Sequence, residues 1–363
     1  MVTKKDELSI RLDPRERRIL LVTCYGHFLS HFNMLTFPAV VLPLTELLQM
    51  DMAAVLGMSF WMYLLFGATA LPWGVTADRL GAKPLMHLFY TGAGISGLAA
   101  SFLMESPGLL ALSLASIGLF SGIYHPAGLG LISKEMTRIS VGMGINGMFG
   151  NLGLAMAPLI AGLVNWQWGP RSAYVVLGVL NLSGALLMAF LHLEGAGAAG
   201  RRSGAGVSQK LSAFLILLIA MMLGGVVYRG ATVITPAYFE LKNQDIFQWF
   251  SSMAWKDLSP NLVATSVTSF IFIFGMLGQY AGGRAAERYD PRYCYLIFHA
   301  ITIPSAFLMA IYADIPLVIF SLIYFFFLLG MQPAENTLVA TYTPRKFHSS
   351  AFGAKFVLTF GVG

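Results

Sequence analysis

Charge is what this sequence has least of. Only 11% of its 363 residues are Asp, Glu, Lys or Arg, against about 25% in a typical soluble domain. Cysteine is nearly absent as well. Cys24 and Cys294 are the two in the chain, and both map near the same side of the molecule, where a disulfide is not expected. The glycine-rich segments carry no phosphate-loop signature, since no strand precedes them and no Gly-Lys-Ser/Thr follows. There is no zinc-ligand spacing and no nucleophile elbow. His27, His31 and His125 lack the carboxylate-rich shell of a metallo-enzyme. Neither enzyme chemistry, a cofactor nor a metal is therefore expected.

What fills the chain is apolar: 56% of residues are hydrophobic. The apolar stretches reach 20 residues or more, enough to cross roughly 30 Å of hydrocarbon. The pattern predicts membrane helices at about 19–45, 54–76, 85–104, 108–132, 141–165, 172–193, 211–239, 261–283, 293–313 and 316–341, with another starting near 349. The first follows a charged head and is read as retained rather than as a signal peptide. Residues 194–210 are Gly/Ala-rich with a small basic cluster and read as a flexible linker. They divide the chain into an N-terminal bundle, residues 1–193, and a C-terminal bundle, residues 211–363. Residues 240–260 form the longest outer loop, where Trp249 and Trp255 read as interfacial anchors.

The net charge of +6 does not point to nucleic acid. Of the 23 Lys and Arg, 18 fall in the N-terminal tail and the loops after helices 2, 4, 6, 8 and 10. By the positive-inside rule these face the cytoplasm, N-terminus included.

The two halves echo each other. Gly74, Asp78, Arg79, Gly81 and Lys83 recur as Gly283, Glu287, Arg288, Asp290 and Arg292, each shifted by 209 positions. His125-Pro126-Ala127 recurs as Gln332-Pro333-Ala334, and Ser140 to Gly153 as Ser350 to Gly363. Two related membrane halves suggest a transporter with its site between them. By this repeat the chain stops in the middle of an eleventh helix, and a truncated second bundle lacking its twelfth helix is expected.

The loop Gly74-Val-Thr-Ala-Asp-Arg-Leu-Gly-Ala-Lys resembles the signature between the second and third helices of the major facilitator superfamily. The resemblance spans the chain. It implies an all-α polytopic fold of two pseudo-symmetric six-helix bundles, here about 11 of 12 helices. In that family the loop residues gate the conformational change without touching substrate. This role would fall to Gly74, Asp78, Arg79, Gly81, Lys83, Gly283, Glu287, Arg288 and Arg292. Four short stretches resemble the fosmidomycin-resistance-type branch. They are Gly26-His27 with Pro38 and Pro43, Tyr124-His-Pro-Ala-Gly128, Gly147 to Gly153 with Ala157-Pro158, and Tyr228-Arg229 with Pro236. One departure is His31, which stands where such relatives often carry an acid.

Ionisable residues inside a membrane are expensive and usually functional. His27 and His31 share a face of the first helix at i, i+4. His125, Arg229 and Glu335 lie on helices 4, 7 and 10, and the repeat pairs Arg229 with His31 and Gln332 with His125. Each has a plainer alternative. Arg229 and Glu335 could form structural ion pairs, and the His125 ring could bond carbonyls freed by Pro126. Asn146 and Asn151 read as helix–helix hydrogen bonds, Lys355 as a snorkelling side chain, and His299 as packing.

The function expected is proton-coupled transport of a small organic solute by alternating access. His31, His125 and Glu335 are the candidate proton carriers and Arg229 the candidate anion-holding group. The resemblance implies efflux, by a monomer in a bacterial inner membrane. Uptake by symport and a non-transporting sensor or scaffold are the alternatives.

Overall fold

The computed structural model describes residues 12–137, 139–191, 211–253, 258–342 and 353–362. The linker 194–210, Trp255 and the side chains of Asp78 and Glu287 lie outside the described residues.

The first helix, α1 (Pro14–Ala39), begins five residues before the apolar run because Asp13 builds a capping box. Its carboxylate accepts from Glu16 N at 2.7 Å, and Glu16 reaches back to Asp13 N at 3.3 Å. Pro14 follows at the first helical position, where a missing N–H costs nothing. Pro38 ends the helix from inside by leaving the carbonyl of Met34 without its helical donor. Tyr63 fills that vacancy, its hydroxyl donating to Met34 O at 2.9 Å. The chain then bends by 50° into α2 (Val41–Leu48), so the expected single helix 19–45 is two.

The second span is broken into α3 (Met52–Gly57), α4 (Phe60–Ala68) and α5 (Ala70–Leu80). Then come α6 (Ala82–Phe102), α7 (Pro107–Ser121), α8 (Tyr124–Glu135), α9 (Ile139–Trp168) and α10 (Pro170–Phe190). The C-terminal half holds α11 (Leu211–Lys242), α12 (Gln244–Ser252), α13 (Pro260–Arg288), α14 (Pro291–Ile311), α15 (Asp314–Gly330) and α16 (Gln332–Tyr342). Residues 353–362 are helical, with Val357–Val362 in the wider π form. No strand occurs among the described residues.

Among the described residues, eight stretches are long and apolar enough to cross a membrane, or nine if α1 and α2 count as one span. The ten expected from sequence include α6, which does not reach that standard. Lys83, His87 and four small residues, Gly92, Gly94, Ser96 and Gly97, dilute it. The outer loop 240–260 is also more ordered than expected, since it contains α12. Asp314 caps that helix, its Oδ1 accepting from Asp245 N and Ile246 N at 2.9 and 3.1 Å.

Backbones cross closely where glycine permits. In the first half, Gly118 on α7 and Gly122 just beyond its end face the backbones of Met62 and Phe66 on α4. In the second, Gly278 and Gly282 on α13 face those of Phe326 and Gly330 on α15. With no hydrophobic drive between helices in lipid, such contacts carry much of the association. The halves meet chiefly where α9 packs on α13 and where α4 packs on residues 353–362.

Candidate functional site

Three histidines from two helices share one place. His27 and His31 on α1 face His125 on α8, with ring centroids 5.0, 5.3 and 5.5 Å apart. One ring nitrogen from each lies within 4.8 Å of the others. The i, i+4 spacing aligns the α1 pair, and the turn at Gly122-Ile123 swings α8 so that His125 points back at them. Trp73 spans that turn, its Nε1 donating to Leu119 O at 3.2 Å.

The ring of His27 is held firmly. Its Nδ1 is 2.9 Å from the backbone carbonyl of Asn146. A Cβ on Gly150 would sit 2.6–2.8 Å from three of the ring's atoms, so the helix α9 offers a flat seat only because this residue is glycine. Tyr124 stacks on the other side at 5.0 Å. Its hydroxyl donates to Thr23 O at 2.7 Å and also pairs with the Asn146 amide. Tyr90 does the same at Val22 O, at 2.7 Å. Both tyrosines reach α1 across Gly26, where a Cβ would lie within 2.9 Å of each. Gly26, His27 and Tyr124 are thus one packing unit.

Arg229 of α11 enters from the other half. Its guanidinium carbon lies 4.3 Å from the ring centroid of Tyr63 and 5.9 Å from that of Phe66, a cation–π arrangement. Phe66 in turn packs edge-on against His125 at 5.6 Å. Arg229 is 8% exposed, and Phe66 joins it to the histidines. The structure therefore brings His27, His31, His125 and Arg229 to one region between the halves.

Glu335 and Gln332 stand apart from that group. Glu335 Oε1 is 2.5 Å from Lys355 Nζ, and Lys355 also donates to Asn336 Oδ1 at 2.6 Å. Both charged side chains are buried. The snorkelling expected of Lys355 is overturned: a counter-ion one helix away lets the amine remain inside. Gln332 accepts from Gln279 Nε2 at 2.8 Å, and Gln279 accepts from Asn151 of α9. Asn151 therefore ties the two halves together. Phe356, next to Lys355, lies 4.5 Å from the His125 ring and links the histidine cluster to the ion pair.

Sequence reasoning missed several partners. Tyr63 carried no signal beyond its place on the second span. Asn33, Ser121 and Asn181 form a closed amide–hydroxyl network joining α1, α7 and α10. Asn181 Nδ2 donates to Asn33 Oδ1 at 2.7 Å, and Asn33 Nδ2 donates to Asn181 Oδ1 and Ser121 Oγ at 3.2 and 3.0 Å. At the far end of α1 and α9, Asn261 donates to Ala39 O and to Glu240 Oε2, both at 2.9 Å, and accepts from Asn165 Nδ2 at 3.0 Å.

The loop motif is seen in part. Gly74 approaches Pro126, where an added Cβ would lie 3.3 Å from the proline Cβ. Gly283 approaches Pro333 in the same way, at 3.8 Å. The glycine of each loop thus packs against the proline of each His/Gln-Pro-Ala stretch. Gly81 turns the chain at φ +86°, a left-handed value suited to glycine. Its counterpart Asp290 instead caps α14 and pairs with Arg292 at 2.5 Å. That hydrogen bond lowers the Asp290 carboxyl from its ordinary 3.8 to about 2. Arg79, Lys83, Arg288 and Arg292 are exposed. On the same side, Arg15 pairs with Glu135, and Glu16 accepts from Thr137 N and Oγ1 at 2.8 and 2.6 Å.

A separate apolar groove of about 580 Å³ lies on the outer face of α1, α9 and α10, lined by Leu20, Tyr25, Phe149 and Leu187 among others. It is remote in character from the polar site.

Comparison with known proteins bears on the fold and family. An uncharacterized MFS-type transporter of Methanocaldococcus jannaschii is 23% identical over 191 residues, 51% of this chain and 47% of that protein. A probable nitrate transporter of Staphylococcus epidermidis is 32% identical over 130 residues, 33% of this chain and 31% of that protein. The matched segments span less than half the length of these curated relatives. The crystal structure of a D-xylose–proton symporter superposes with a TM-score of 0.71 at 12% identity, over 95% of this chain and 88% of that one. The sequence profile described as Major Facilitator Superfamily matches residues 23–363. The protein is an all-helical, multi-pass membrane protein that belongs to the Major Facilitator Superfamily.

Proposed function

We propose that the chain is a secondary active transporter, not an enzyme, and that it moves a small organic anion by alternating access coupled to protons. The carrying observation is that Arg229 of one half lies over Phe66, which packs against His125 beside His27 and His31 of the other. A solute held there touches both bundles, so rocking one against the other moves the barrier from one side of it to the other. Arg229 supplies fixed positive charge and planar donors suited to a carboxylate or phosphonate. The staphylococcal relative, a probable nitrate transporter, is in keeping with an anionic solute.

Glu335 and Lys355 supply the coupling. While Glu335 is ionised it neutralises Lys355 inside the protein. Protonation removes the counter-ion and leaves a buried ammonium, a state that costs several kcal/mol unless another anion arrives. Solute and proton uptake by the carrier are thereby linked. Joint binding of this kind carries solute and proton the same way, which gives uptake under an inward proton gradient; efflux rests on the likeness at Gly26-His27, Tyr124-His125 and Tyr228-Arg229 to the fosmidomycin-resistance-type branch, and vesicles of opposite orientation separate the two. Residues 1–193 and 211–363 act as the two moving bodies. Asp78, Arg79, Lys83, Glu287, Arg288 and Arg292 guard the cytoplasmic side of a monomer in a bacterial inner membrane.

The test uses sealed vesicles of both orientations with an imposed pH gradient and a panel of organic anions. Gradient-driven flux in wild type, lost in correctly inserted Arg229→Ala and Glu335→Gln, is the expected result. Unchanged flux in both variants would remove the central site from transport. Absence of flux for every anion would favour the sensor or scaffold.

A further inference from the structure

Three imidazoles within reach of one point constitute a donor set, whatever else passes through the site. A divalent ion of the zinc type binds imidazole nitrogen at about 2.0–2.1 Å, which puts tetrahedral ligands roughly 3.4 Å apart. One ring nitrogen from each of His27, His31 and His125 already lies within 4.8 Å of the others. Small rotations of the two rings not fixed by a hydrogen bond close the remainder. The fixed ring is the informative one. With its Nδ1 at 2.9 Å from the Asn146 carbonyl, His27 must donate there, which leaves Nε2 with a free lone pair. A metal-bound histidine characteristically has its second nitrogen anchored in this way. The Gly150 seat and the Tyr124 stack fix the ring plane, so the site has support beneath its ligands.

The donor chemistry selects the ion. All three ligands are neutral imidazoles, which suits Zn²⁺, Co²⁺, Ni²⁺ or Cu²⁺ and not Mg²⁺ or Ca²⁺, whose ligands are oxygens. Three protein ligands leave a fourth position open. The cationic Arg229 lies one ring away, across Phe66 from His125, so an anion, chloride or hydroxide, is the electrostatically favoured fourth ligand. Lys355 adds little opposing charge because Glu335 neutralises it at 2.5 Å.

We propose that His27, His31 and His125 form a binding site for one divalent transition-metal ion, which ties α1 to α8 and blocks the central site when bound. The site uses residues of the proposed transport cavity, but metal binding requires no transport and is measured without it. The full chain would be purified on a tag free of histidine, stripped with chelator and titrated with Co²⁺ alone in chloride buffer. One Co²⁺ per chain, with the intense visible absorption of a four-coordinate ion and displacement by Zn²⁺, is the expected result. His31→Gln and His125→Gln should each weaken binding by more than the roughly 10–100-fold typical of an outer-shell change. Gly150→Ala should weaken it through the displaced His27 ring, and His87→Gln and His299→Gln should leave it unchanged. Folding is checked by retained helical circular dichroism and monodisperse elution. No saturable Co²⁺ or Zn²⁺ uptake by folded wild type would overturn the site, as would uptake unaffected by both His31→Gln and His125→Gln. A chain that binds one Co²⁺ yet moves no anion would sink the transport reading and leave this one standing.

Discussion

The two halves of this protein share a plan and spend their buried polarity differently. In the N-terminal half, uncharged groups meet: three imidazoles in one cluster, and Asn33, Ser121 and Asn181 in a closed network. The C-terminal half adds buried charge to its amide contacts: Arg229 lies over two aromatic rings, and Glu335 pairs with Lys355. The lesson is about what symmetry constrains. The repeat preserves backbone devices, such as Gly74 against Pro126 and Gly283 against Pro333, while the side chains beside them diverge from His125 to Gln332. A duplicated scaffold keeps its crossings and changes its chemistry.

The sharpest way to break the comparison is to remove one charge from the second half. Glu335→Gln leaves Lys355 buried without its counter-ion, and a loss of about 3–5 kcal/mol is expected. Thermal unfolding in detergent should show it as a clear drop in midpoint. The double variant Glu335→Leu with Lys355→Met should recover most of the stability and none of the pH-driven flux. If the double variant still transports, the coupling role fails.

Next in size is overpacking at the shared crossings. A Cβ at Gly118 or at Gly278 would press into the backbone of the facing helix. Alanine at either should cost about 1–3 kcal/mol. Comparable losses would make the two crossings equivalent, whereas a large loss at one alone would show that the halves bear unequal packing strain. Smaller still is the neutral network. Asn181→Leu should cost about 1–2 kcal/mol, in the range of interhelical hydrogen bonds in membranes, and should leave flux intact. A flux defect there, with normal expression, would draw the network into the transport path.

The least effect is expected at the loops. Asp290 is held near pKa 2 by its hydrogen bond to Arg292. A depressed carboxyl contributes stability that is present above its unfolded value of 3.8 and lost as pH falls through about 2. The pair is exposed, so its contribution is small. Asp290→Asn should flatten the unfolding midpoint only below about pH 4, and Gly81, its partner in the repeat, has no titration to lose.

Much of the fold could be read from residues, because lipid imposes one requirement everywhere: apolar stretches that satisfy their own backbone. The breaks were harder. Residues 54–76 read as one helix, yet the chain makes three pieces between Met52 and Leu80, whose carbonyls are met by turn contacts no periodicity encodes. At the site, His27 and His31 were legible as a pair through their spacing. That His125 completes a triangle with them depends on the turn before α8, a tertiary matter. Lys355 was misread because hydropathy alone favours an escaping amine, and its partner Glu335 lies on another helix. Tyr63 left no sequence trace at all.

Tyr63 has a consequence of its own. Its hydroxyl serves the carbonyl that Pro38 leaves without a donor, and its face receives the guanidinium of Arg229. One ring therefore joins a bend in the first half to a charge in the second. Replacing it with a fluorinated tyrosine would set these two duties against each other. A more acidic phenol donates more strongly to Met34, while the electron-poor face attracts the cation less. The substituted protein would hold its bend more tightly and its arginine more loosely, the opposite of phenylalanine, which keeps the face and loses the hydroxyl.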